Sequence, residues 1–188
     1  VQIRDIFENL VTTATHTITL GTYTDSGCGT SIPGSGFSAL PSSSVAAVAG
    51  VATFSNVSET LAGPMYLCAT SVLGYISSSL TITPDAPANY QLGGIPTQIL
   101  NNSCYMFSPS LYDQFMNFLT SGSVSTTFAS VGGTGLTATS NTCLSNVSPQ
   151  TVTAGGFNFW HKFTPTYSTS STVVMQLQLS GSGMTTFN

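Results

Sequence analysis

Residues 13–20 read Thr13-Ala14-Thr15-His16-Thr17-Ile18-Thr19-Leu20, an unbroken alternation. Ala14, His16, Ile18 and Leu20 fall on one side of an extended chain, and the four threonines fall on the other. A period of two carried by β-branched residues marks a half-buried strand. His16, on the apolar side, reads as a core or interface histidine.

Upstream, the first eleven residues fit two templates. Ile3, Ile6, Phe7, Leu10 and Val11 recur at helical spacing, with Arg4 and Glu8 able to pair at i, i+4. An extended chain would instead place Val1, Ile3, Phe7 and Val11 on one side. Downstream, residues 21–36 are rich in turn formers, among them Asp25-Ser26-Gly27, Pro33-Gly34 and Ser35-Gly36, and read as a linker or long loop.

The remainder, 37–188, reads as one β domain of short strands broken by Pro and paired glycines. Candidate strands are Val45–Phe54, Met65–Thr70, Tyr75–Thr83, Ile95–Met106, Ser123–Ala129, Gly135–Thr139, Thr151–Phe163 and Thr172–Leu179. One helix is expected at Pro109–Thr120, with Ser108 as N-cap and Leu111, Phe115, Phe118 and Leu119 on one face. No internal repeat is evident. The expected architecture is an all-β sandwich of immunoglobulin or jelly-roll type with one short helix.

Composition limits what such a domain can do. Of 188 residues, 4% are charged: two Lys/Arg against six Asp/Glu, for a net charge of −4. Ser and Thr make up close to a third of the chain. With so few cations no basic surface exists to neutralise phosphates, which excludes nucleic-acid binding. The longest mostly apolar stretch, Val45 to Phe54, is about half a bilayer span, so no transmembrane helix is expected. Val1 follows no initiator Met and reads as the product of processing. So few carboxylates leave little acid-labile stability, which suits harsh surroundings.

Chemistry-bearing residues are scarce. The chain carries two histidines, His16 and His161, and no HExxH, P-loop or GxSxG motif. A glycosidase needs two carboxylates flanking the bond, and nothing marks Glu59, Asp85 or Asp113 as such a pair. His161 lacks a second ligand nearby for a metal site. Trp160, His161 and Lys162 form a cluster that suits packing better than sugar stacking. The sequence does not read as an enzyme, and it calls for no metal and no cofactor.

Four widely spaced cysteines, Cys28, Cys68, Cys104 and Cys143, point to two structural disulfides in an oxidising compartment, with three connectivities open. Three N-x-Ser sequons, at Asn56, Asn101 and Asn146, are candidate N-glycosylation sites. Glycans would solvate a surface with almost no charge. Residues 1–20 have what a donated strand needs: a terminal position, apolar anchors at Val1, Ile3, Phe7, Val11, Ile18 and Leu20, and a flexible joint behind them.

The N-terminal tail Val1–Leu20, the Ser/Thr-rich β body, the near absence of Lys and Arg and the three sequons resemble archaeal surface pilins. The likeness is to the thread-filament type of thermoacidophilic Sulfolobales. The resemblance implies an extracellular, N-glycosylated subunit whose immunoglobulin-like head is similar to type 1 pilins. It also implies head-to-tail polymerisation, the tail Val1–Leu20 of one copy completing the sandwich of the next, with adhesion or biofilm formation as the purpose. Two other expectations fit the same pattern: a jelly-roll virion coat protein, or a secreted carbohydrate-binding module centred on Trp160.

Overall fold

The computed structural model describes all residues except 95, 97, 99, 101, 132, 140, 145–147, 166–175 and 182–188. The described residues form strands, turns and loops, with no helix. The chain divides into two compact units, Val1–Thr83 and Pro84–Asn188, a boundary inside the stretch 37–188.

Unit 1 contains β1 (Thr17–Tyr23), β2 (Ser38–Leu40), β3 (Ser44–Ala46), β4 (Ser55–Ser58), β5 (Gly63–Ser71) and β6 (Gly74–Ile82). One antiparallel sheet has the order β3-β1-β5-β6, and β2 pairs with β4. The predicted alternation holds in β1, where Ile18 and Leu20 are buried. His16 lies just ahead of β1 and is exposed, contrary to the expected core position; its carbonyl takes the amide of Ala47. The core is built from Ile3, Ala14, Ile18, Leu20, Ala47, Ala52 and Ala69. Four alanines in seven give little apolar area, since stabilisation scales with the surface removed from water.

Unit 2 contains β7 (Asn89–Gly93), β8 (Cys104–Tyr112), β9 (Ser123–Val131), β10 (Gly133–Ala138), β11 (Gln150–Thr153), β12 (Phe159–Pro165) and β13 (Gln176–Gly181). Its sheets run β10-β12-β8-β7 and β11-β9-β13. Its core is aromatic: Phe159 lies against Phe107 at 5.5 Å and Phe128 at 4.3 Å, with Leu111, Val152 and Leu179 fully buried.

The helix expected at Pro109–Thr120 does not form. Residues 109–112 are the end of β8, and 113–117 make a tight loop. Pro109 is tolerated in the strand because pairing with β12 stops at Phe107, so on that side no amide is missed. Asp113 then ends the strand by gathering the amides of Phe115 and Asn117 onto its own carboxylate, an alternative to helical bonding that short acidic side chains favour.

The chain also holds a repeat. Asp5-Ile6-Phe7-Glu8-Asn9 and Asp113-Gln114-Phe115-Met116-Asn117 share the pattern D-x-F-x-N and fold alike. In both loops the Asp amide donates to the Asn carbonyl and the fourth residue's amide to the Asp carbonyl. Both carboxylates accept from the Phe amide, the Asn amide and the Asn side chain. Glu8 and Met116 take matching left-handed φ values of 69° and 66°. Two residues outside each loop, Val11 donates to Ile3 as Leu119 donates to Leu111. The following strand is in each case flanked on both sides, β1 by β3 and β5, β9 by β11 and β13. Residues 1–11 are therefore a hairpin, and Arg4 meets Glu8 across its loop at 3.8 Å, not along a helix.

Candidate assembly site

The N-terminal hairpin is clipped to unit 1 through backbone. Val1 and Ala52 exchange hydrogen bonds at 2.8 and 2.9 Å, and the Ile3 amide donates to the Gly50 carbonyl. Gly50 has φ +78°, and a Cβ there would run into the Val11 carbonyl, so the close approach requires glycine.

The six anchors divide into two groups. Ile3, Ile18 and Leu20 are buried within their own unit, and Val11 packs half-buried beside them. Val1 and Phe7 are exposed, Phe7 by 80%, and with Ile6 at 90% it forms an apolar hairpin tip. In the single chain β1 pairs in cis, Thr17–Thr19 with β3 and Thr19–Tyr23 with β5.

The disulfides join Cys28 to Cys68 and Cys104 to Cys143, each within one unit. Of the sequon asparagines, Asn56 sits exposed on β4, whereas Asn101 and Asn146 lie outside the described residues.

The carboxylates are engaged locally. Asp25 accepts from the Gly29 and Thr30 amides, Glu59 from Thr22, Thr60 and Leu61, and Asp85 from Ala86 and Gln114. Asp113 is 1% exposed and also accepts the Asp85 amide. Burial pushes its carboxyl up, but the bonds from Asn117, Asp85 and Phe115 outweigh this and hold it below the usual range. Among the described residues no group of three or more His, Cys, Asp and Glu could hold a metal ion. No helix of the described residues is long and apolar enough to cross a membrane.

Trp160 is half-buried in β12, and His161 beside it is 1% exposed with its ring edge-on to Phe163 at 4.6 Å. Burial pushes the imidazole down to about 4. The unfolded chain takes up this proton near 6.5 and the folded chain near 4, so His161 favours folding fully above pH 6.5. That contribution fades as pH falls toward 4, an expected loss of about 3 kcal/mol. Urea midpoints at pH 7.5 and pH 4 should differ for the parent and far less for His161→Gln; equal slopes would remove His161 as the cause.

Comparison of the sequence with models of known protein families gives no match, and neither does comparison with curated protein sequences. Sequence reasoning missed the repeated loop and the exposed strand β4, although D-x-F-x-N is present twice.

Proposed function

We propose that this protein is a structural subunit of an extracellular filament, its copies joined head to tail by strand complementation and serving adhesion or biofilm formation. The observation that carries this reading is the place of the N-terminal segment. β1 fills an internal slot between β3 and β5, and Ile3, Ile18 and Leu20 bring large side chains to an alanine-rich core. A segment used this way can serve a neighbour by the same contacts, because exchange between identical copies creates no new chemistry. Val1–Leu20 of one copy would then complete unit 1 of the next.

The two disulfides support an oxidising, extracellular setting. Exposed Asn56 is open to a glycan, and we extend that role to Asn101 and Asn146. The Cys28–Cys68 bond limits the exchange, since four residues separate β1 from Cys28. Once the bond closes, β1 stays near its own β5. Exchange of the whole segment must precede oxidation, or else involve only Val1–Val11, hinged at the following turn.

Electron microscopy of the intact chain and of a chain lacking Val1–Leu20 tests the proposal. Fibres from the first and folded, non-polymerising monomers rescued by an added Val1–Leu20 peptide from the second are expected. A monomeric intact chain at all concentrations, oxidised or reduced, would end the filament reading.

A further inference from the structure

The longest edge strand among the described residues is β6, nine residues at the end of the unit 1 sheet. Its pairing with β5 runs without a bulge from Gly63–Ile82 to Ser71–Gly74, and its other side is unpaired among the described residues. Such an edge is normally guarded by a charge, a proline or a bulge. β6 reads Gly74-Tyr75-Ile76-Ser77-Ser78-Ser79-Leu80-Thr81-Ile82 and has none of the three. Residues 60–84 carry no charge at all.

Exposed apolar side chains collect at the same place. Val72 and Leu73, in the turn between β5 and β6, are exposed, as are Tyr75 and Ile76 on the strand itself. Ile76 ends a cross-strand row that starts in the core, with Leu20 opposite Ala69 and Ala69 opposite Ile76. Leu20 and Ala69 are buried, yet Ile76 is 66% exposed, so the row runs from the core into solvent at the edge.

The sequence of β6 is complementary to itself. Opposed residues of an antiparallel pair share one face of the sheet, so two identical strands related by a two-fold axis centre on a single residue. Centred on Ser78, all nine residues overlap: Ile76 meets Leu80, Tyr75 meets Thr81 and Ser77 meets Ser79. We infer that β6 pairs with β6 of a second copy about a two-fold axis at Ser78, joining two unit 1 sheets edge to edge. The apolar row is then continuous, Leu20, Ala69 and Ile76 of one copy leading to Leu80 and the buried Met65 of the second copy. Tyr75 against Thr81 adds an aromatic and β-branched cross-strand pair. The chain is net negative, and an edge without charge lets two copies meet there without repulsion. This contact is separate from the N-terminal segment and goes beyond strand exchange: within filaments it ties neighbouring fibres side by side.

Nine paired residues span about 30 Å of strand. That footprint is small beside a permanent interface, so the pair is reversible and is tested by covalent trapping. Full-length Ser78→Cys sets two thiols directly opposite each other, about 4.5–5.5 Å apart at Cα and within disulfide range. Two copies of Ser79→Cys stand diagonally, about 7–8 Å apart and past that range. Mild oxidation should therefore dimerise Ser78→Cys much faster than Ser79→Cys. Adding Ile76→Lys to Ser78→Cys should slow capture about fivefold or more, because both Ile76–Leu80 pairs are lost and a lysine guards the edge. Ile76 is exposed, so this change should leave the urea midpoint of the chain unmoved, which separates lost pairing from lost folding. Equal capture of the two cysteine variants, or capture indifferent to Ile76→Lys, would overturn the inference. Fibres from the parent without capture of Ser78→Cys would overturn this contact and leave the filament reading standing. Ser78→Cys dimers from a chain that forms no fibres would support the contact and count against the filament.

Discussion

Asp113→Ala should destabilise unit 2 by about 3–5 kcal/mol, because the change strands several donors in a buried place. The carboxylate accepts the amides of Asp85, Phe115 and Asn117 together with the Asn117 side chain, and water has little access to replace it. Trp160, the only tryptophan, lies in unit 2, so its fluorescence during urea unfolding reports that unit. The matching Asp5→Ala change opens an exposed loop and should leave the Trp160 transition unmoved. A shift below about 1 kcal/mol for Asp113→Ala would mean that the loop is held by its backbone bonds alone. The pH dependence has a definite sign. Asp113 has a lowered folded pKa, so its contribution is present above the unfolded value of 3.8 and is lost as pH falls through the folded one. Acid tolerance, which the paucity of carboxylates suggested, is therefore limited in unit 2 by Asp113 and His161.

Removing Cys28–Cys68 by paired serine substitution should cost about 4 kcal/mol on the chain-entropy account of a loop this size. Its alanine-rich core gives unit 1 little to set against that loss, so the unit should lose protection from amide exchange while Trp160 fluorescence stays native. Paired replacement of Cys104 and Cys143 should lower the unit 2 midpoint by a comparable free energy without unfolding it, because Phe107, Phe128 and Phe159 hold its centre. Equal tolerance in both units would show that the unit 1 core is stronger than its composition suggests.

Much of the fold is legible in residue order. Alternation in Thr17–Leu20 and the apolar content of Met65–Thr70 place β1 and β5 because a period of two has a direct meaning in a strand. The stretch Val45–Phe54 reads as one strand but forms only β3 before turning at Gly50, since small alanines carry no preference that opposes a turn. Leu111, Phe115, Phe118 and Leu119 imitate a helical face. The deciding interaction, Asp113 with its following amides, is a side-chain bond that periodicity does not register. The repeat escaped for a related reason: it is five residues with three identities, too short to stand out in a chain of 188. The exposure of β4 depends on which strands lie beside it, and that is not encoded in the pattern of a single strand.

The two disulfides have a consequence under tension. Each closes a segment inside one unit, with sequence separations of 40 and 39. If a pulling force unravels either unit, the residues between its cysteines cannot pay out. An extended chain gains roughly 3.3–3.6 Å per residue, so each closed segment withholds on the order of 130 Å of slack. A stretched chain would therefore become taut early, bearing load through covalent bonds while the residues inside both loops are still gathered.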